Sequence, residues 1–161
     1  MSFPDTVHAV QHRLRALFPA TPLQRNAFLS DRYDAEIYLK REDLSPVRSY
    51  KIRGAFTLMS AILRGAEGSR PDGSNAHFVC ASAGNHAQGF AYACAHFNVP
   101  GTVVMPVTTP QQKIDKTRVF GREFITIKLV GDTFDQSYAA ARQLEADEAA
   151  IMIPPFDHPR I

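Results

Sequence analysis

Lys51 sits in Ser49-Tyr50-Lys51-Ile52-Arg53-Gly54-Ala55, where a charged, proline-containing loop gives way to a run with helical spacing. A lysine on the first turn of a helix feels the positive end of the helix dipole, and partial burial acts in the same sense. Both favour the neutral amine, the form that Schiff-base chemistry needs. Taken alone, the same lysine reads first as a solvated cation that merely begins a helix. A second segment, Ala81-Ser82-Ala83-Gly84-Asn85-His86-Ala87-Gln88-Gly89, follows an apolar strand directly and opens a helix. There an α/β protein presents unpaired backbone N–H groups to an anion, beyond the carboxyl end of a strand. The small residues Ala81 to Gly84 admit a ligand of carboxylate size to the main chain, and Ser82, Asn85 and His86 add hydrogen-bonding side chains. Neither a Gly-Lys-Ser/Thr run nor a GxGxxG turn is present, so ATP and dinucleotides are not supported. Alone, this segment is also an ordinary helix cap.

Other chemistry-bearing residues carry less. His8 and His12 lie four apart on the first helical run, with no third metal ligand near them in sequence. Asp132 and Asp135 read as a helix-start cap and a first-turn charge, and Lys113 and Lys116 as a solvated helix face. Cys80 and Cys94 fall on a strand and a helix; two thiols build neither a disulfide framework nor a closed zinc site. Cys80 is close enough in sequence to the anion loop to leave a tuning role open.

The elements that must hold these residues follow from the spacing of apolar positions. Residues 6–18 form an amphipathic helix stopped by Pro19 to Pro22, and 36–40 alternate as a strand broken by Arg41 to Pro46. A helix covers about 50–64, and Gly65 to Asn75 is a polar connector. From residue 77 short apolar strands alternate with helices: strand 77–81, helix 85–96, strand 102–105, a helix opened by Thr109-Pro110, strand 124–130, helix 133–148, strand 151–153. This rhythm predicts right-handed βαβ units and an α/β fold with a parallel sheet and helices on both faces. Pro110 fits the first helical position after a Thr109 cap, and Gly121 fits a left-handed cap after Phe120. The chain then runs out in Pro154-Pro155-Phe156-Asp157-His158-Pro159, just past a strand, as a fragment would.

Composition bounds the partners. Eighteen Lys and Arg face 16 Asp and Glu for a net charge of +2, spread without runs of one sign, across 161 residues. No nucleic-acid footprint or polybasic membrane patch is indicated. The first residues, Met1-Ser2-Phe3-Pro4-Asp5, lack the basic and apolar regions of a signal peptide, no apolar run has the length of a membrane span, and a cytoplasmic setting is expected.

Four segments taken in order and spacing, 38–43, 49–55, 81–89 and 154–159, closely resemble the N-terminal part of the pyridoxal-phosphate-dependent threonine dehydratases, from about residue 20 onward. The resemblance implies the fold type II architecture, like the tryptophan synthase β chain, left incomplete. Residues 1–50 would be part of a large domain, 51–153 a small parallel α/β domain, and 154–161 the start of the return. Lys51 would bond the aldehyde of pyridoxal 5'-phosphate and, once freed, take the substrate Cα proton. Tyr50 would pack beside the cofactor in the place of a family phenylalanine, and Asn85 would bond its 3-hydroxyl oxygen. Ser82, Ala83, Gly84, Asn85 and His86 would hold the substrate carboxylate. The implied reaction is that of an ammonia-lyase, L-threonine to 2-oxobutanoate and ammonia in isoleucine biosynthesis, or L-serine to pyruvate, in a homo-oligomer (dimer or tetramer). Related serine racemases place a serine where this chain has Ala83, which favours dehydration. The family's glycine-rich phosphate loop falls beyond residue 161, so these residues alone are expected to bind the cofactor weakly and turn over little. A serine dehydratase or racemase of the same fold, and a non-catalytic amino-acid-binding remnant, are the alternative readings.

Overall fold

The computed structural model describes residues 3–65 and 76–158. Most of the expected connector, residues 66–75, and the last residues from Pro159 lie outside that description. Two compact units are present, Met1–Tyr50 and Lys51–Ile161.

In the first unit, α1 (Phe3–Leu17) buries Leu14, and Phe18 just beyond it, as the helical spacing requires. Two elements follow that the sequence pattern does not show: β1 (Leu23–Arg25) and α2 (Ala27–Tyr33). β1 pairs antiparallel with β2 (Tyr38–Lys40), Gln24 opposite Leu39. Every residue of both strands is exposed, so no apolar alternation marks them. Side chains do the work instead. Asn26 caps α2 by accepting from the Leu29 N–H at 2.9 Å, and the buried Ser30 hydroxyl donates to the Asn26 carbonyl while accepting from the Ile37 N–H. Farther on, the Ser45 hydroxyl donates to the Ser49 carbonyl and accepts from the Ser49 N–H, both at 2.9 Å, closing the loop from which the chain enters α3.

The second unit starts with α3 (Lys51–Leu63) and then alternates β3 (Phe78–Ala81), α4 (Asn85–Phe97), β4 (Gly101–Met105), α5 (Gln111–Gly121), β5 (Ile125–Leu129), α6 (Phe134–Asp147) and β6 (Ile151–Met152). The strands form one parallel sheet in the order β5-β4-β3-β6. Alternation along the strands splits the core. Phe78, Cys80, Val103 and Met105 pack with α3 and α4, while Val79, Ala81 and Val104 pack with Ala141 of α6. Both sheet faces are thus covered, and fully burying a side chain such as Ile52, Met59, Phe78 or Phe90 contributes about 1.5–3 kcal/mol each. Among the described residues, no helix is long and apolar enough to cross a membrane.

Three helix ends differ from expectation. Pro110 is the N-cap residue of α5 rather than its first helical residue: its ψ of 136° is extended, and its carbonyl accepts from the Lys113 and Ile114 N–H groups. The Thr109 hydroxyl is buried and caps nothing. At α6 the cap is Thr133, in a reciprocal box with Gln136, and not Asp132. Gly121 is not left-handed; its φ is −88°, and glycine is required because a Cβ there would run into the Ile125 side chain. The positive φ falls one residue later, on Arg122, at φ 52° and ψ −134°.

An L side chain in that region is strained, so Arg122→Gly should raise stability by about 1 kcal/mol, read as a higher urea midpoint at unchanged slope. A lowered midpoint would contradict this assignment of strain.

Candidate active site

The order of the strands reverses at β3. From β3 the chain moves outward through β4 and β5, then α6 carries it back so that β6 lies on the other side of β3. In open α/β sheets such a switch leaves a crevice beyond the carboxyl ends of the two strands, where ligands bind. Here the β3 end leads into Ser82 to Gly84 and α4, and the β6 end into Ile153, Pro154 and Pro155.

The start of α4 is built to leave donors available. Its N-cap residue is Gly84, which offers no side chain to close the first turn. The first rung of its ladder is the Gln88 N–H to the Gly84 carbonyl at 3.2 Å, so the N–H groups of Asn85, His86 and Ala87 precede it. The Ser82 hydroxyl oxygen accepts from the Gly84 N–H at 3.2 Å, bending the loop over the strand end. A Cβ placed on Gly84 would meet no heavy atom within 4 Å. An anion can therefore reach this main chain, with the exposed Asn85 side chain beside it.

The ring of His86 points the other way. His86 is 3% exposed, and its Nε2 lies 2.9 Å from the Ile153 carbonyl oxygen. A carbonyl only accepts, which assigns the proton to Nε2 and leaves Nδ1 bare, buried and without a partner. Burial pushes its pKa down to about 4; the bond to the Ile153 carbonyl opposes that shift, and the charge of Lys51 adds to it. At neutral pH the ring is uncharged, so what His86 offers an anion is its main-chain N–H.

Lys51 opens α3, half-buried, and its Nζ donates to the Pro155 carbonyl. What brings α3 to this crevice is Gly89. A Cβ on Gly89 would lie 2.9 Å from the Ile52 nitrogen and 3.1 Å from the Lys51 carbonyl carbon, so the helices touch backbone to backbone. Asn85 and Gly89 are one turn apart on the same face of α4, so this approach sets the Lys51 backbone against the face that carries Asn85. Lys51, Ser82, Ala83, Gly84, Asn85 and His86 thus share one unit and one end of its sheet. Tyr50 is exposed and ends the other unit.

Two contributors carry no sequence signal at all, the carbonyls of Ile153 and Pro155, because every residue has one. Gly89 stands in the quoted motif, but its role needs the neighbouring helix to be seen. Burial pushes both thiols up, Cys80 and Cys94 being packed in the core, which leaves them inert. Among the described residues, no group of three His, Cys, Asp or Glu could hold a metal.

Gly89→Ala must separate α3 from α4 and should cost about 1–3 kcal/mol by urea denaturation. Gly84→Ala, which points into open space, should stay within about 0.5 kcal/mol. Equal costs would remove the special status of Gly89. Acid gives a second outcome. Between the ordinary histidine value of 6.5 and about 4, the unfolded chain binds a proton at His86 that the folded chain does not, so stability falls as pH falls through this window. The loss from pH 7 to pH 4 is about 3 kcal/mol, and His86→Gln should abolish that component of the pH dependence.

Comparison with known proteins identifies the family and the fold. The family of pyridoxal-phosphate dependent enzymes matches residues 15–161. The biosynthetic L-threonine dehydratase IlvA of Halalkalibacterium halodurans is 48% identical over 141 residues, which are 88% of this chain and 32% of that protein. The processed form of threonine deaminase isoform 2 from Solanum lycopersicum is 41% identical with a TM-score of 0.75, over 87% of this chain and 36% of the other. Maize serine racemase shares the fold, at 20% identity and a TM-score of 0.81 over 95% of this chain and 44% of the other. The chain thus spans about a third of the length of the curated relative it matches. Over nearly all of its residues, from the first helix to the crevice beyond β6, the chain belongs to the pyridoxal-phosphate dependent enzyme family.

Proposed function

We propose that this chain carries the lysine and carboxylate side of a threonine dehydratase active site. The observation behind the reading is the convergence of one amine, Lys51, and one uncapped helix start, Gly84 to Ala87, on the switch-point crevice. The site fits pyridoxal 5'-phosphate and an amino-acid substrate: it has an amine for the aldehyde, a side-chain amide on Asn85 for the 3-hydroxyl oxygen, and an open cradle at Gly84. When bound, the cofactor supplies an electron sink that makes a Cα proton removable.

The rest is the work of the chain. The substrate carboxylate lies in the turn of Ser82, Ala83, Gly84, Asn85 and His86, on the N–H groups that precede the first rung of α4, since the Ser82 and Gly84 N–H groups are spent on the Val104 carbonyl and the Ser82 hydroxyl; the helix dipole favours an anion there. That hold orients the Cα–H bond toward the Lys51 amine, which takes the proton. Ala83 has no group that could return a proton from a second face, so loss of the β-hydroxyl is favoured over inversion at Cα. L-Threonine would give 2-oxobutanoate and ammonia, and L-serine pyruvate. The relative's name, which marks it as biosynthetic, supports a place in isoleucine biosynthesis. On the same reading residues 1–50 belong to a large domain that includes Tyr50 beside the cofactor, 51–153 form the small domain, and the working protein is a cytoplasmic homo-oligomer.

Incubation with pyridoxal phosphate, borohydride reduction and peptide mapping should place the label at Lys51, with Lys51→Ala as control. Label scattered over surface lysines such as Lys113 and Lys116 would overturn the reading.

A further inference from the structure

The segment leaving β6 is Ile153-Pro154-Pro155, and its composition restricts how it can be held. The Ile153 N–H is spent on the Val79 carbonyl at 2.8 Å, extending the β3–β6 ladder. The next two residues have no N–H. Only carbonyl oxygens remain as handles, and two of them are taken by the residues at the crevice: Ile153 accepts from His86 Nε2, and Pro155 accepts from Lys51 Nζ. Between the two acceptors the backbone is stiff. Both proline rings fix φ near −65°, and a residue before proline is confined to extended ψ. Where the Ile153 carbonyl is placed therefore largely decides where the Pro155 backbone lies, and the Pro155 ψ alone is left to turn its carbonyl oxygen onto Lys51.

We propose that His86 is a positioning residue, whose Nε2–H grips the Ile153 carbonyl and, through the rigid Pro154-Pro155 link, sets the Pro155 carbonyl that holds the Lys51 amine. The clip closes a loop from α4 to β6 to α3, so the helix start that takes the carboxylate and the amine that takes the proton are tied by one strap as well as by the Gly89 contact. The ring is retained at a cost, because Nδ1 is left buried without a donor. Packing alone would be served by an apolar side chain at that position. The strap explains why a polar one is present.

This inference rests on the reading of Lys51 as the reactive amine, but its test can be run without the cofactor. In the 161-residue chain, the imidazole nitrogen NMR signals of His86 should report the Nε2–H tautomer near neutral pH; the Nδ1–H tautomer would overturn the clip. Trace acetylation with acetic anhydride then reads the amine. His86→Leu, which removes the donor, should change the acetylation of Lys51 relative to Lys113 and Lys116 by about threefold or more, and His86→Gln, whose side-chain amide restores a donor, should bring it back. With pyridoxal phosphate and borohydride, label at Lys51 should fall about tenfold in His86→Leu and recover in His86→Gln. Reactivity in His86→Leu equal to that of the unaltered chain would overturn the proposal, as would loss in both variants with the fold intact by circular dichroism. Should neither variant fold, the tautomer decides. Absence of selective label in the unaltered chain would instead count against the proposed function, with the tautomer and acetylation results standing apart from it.

Discussion

The return of the chain to the side of β3 is the constraint on which the site depends. Right-handed crossovers place α4 and α5 on one face while the chain moves outward, and α6 on the other face while it moves back. The reversal has to separate two strand ends, and those ends are β3 and β6. Everything with chemical potential in the second unit follows from that separation. The β3 end carries the small loop and the start of α4, the β6 end carries the two acceptor carbonyls, and α3 supplies its first residue to both. A sheet in simple sequential order would have offered no such crevice, because each crossover helix would cover the end of its neighbour.

Stability is given up locally to keep the crevice usable. A Ser, Asn or Asp side chain at the N-cap of α4 would be worth roughly a few tenths of a kcal/mol over glycine, yet Gly84 occupies it. The contrast with α6 is internal to the molecule: there the Thr133 side chain accepts from the Gln136 N–H and the Gln136 side chain from the Thr133 N–H. The His86 ring is likewise held neutral and short of one partner. Both departures lie within two residues of each other, and the packing around them is dense. Phe90, Ala87, Ala91 and Cys94 are fully buried, so the core under α4 offsets what its first turn lacks.

Much of this was legible in the sequence, and the limits have physical causes. Parallel strands buried on both faces read as short apolar runs, so Phe78–Ala81 and Gly101–Met105 stand out within a residue or two. The loop at 81–89 is legible as the turn from a strand into a helix, because small residues directly after such a run break it and Asn85 opens α4. β1 and α2 are not legible: three exposed residues and seven mostly polar-facing ones are held by Asn26 and Ser30 through bonds that no periodicity records. Gly121 shows a subtler failure. A glycine at a helix end reads as the left-handed residue, but the space was needed for Ile125 and the positive φ moved to Arg122. His86 fails for the same kind of reason. Its type predicts a donor toward ligand, whereas its direction is decided by Ile153, just past β6 and 67 residues along the chain from it.

The Lys51 amine and the uncapped start of α4 both lie at the ends of helices and not in long loops, and the packing of those helices shows what that placement gains. Two helices in backbone contact at Gly89 cannot shift against one another without opening the core cluster that Ile62, Met59, Phe90 and Cys94 share. Side chains at their first turns inherit that rigidity, and a proton transfer depends on the placement of donor and acceptor to within a fraction of an ångström. A loop could have carried an equally reactive lysine, but its position would have been set by solvent-exposed hydrogen bonds. Here the position of Lys51 is set by the absence of a single methyl group on the facing helix, which is the least deformable element that this fold can place opposite it.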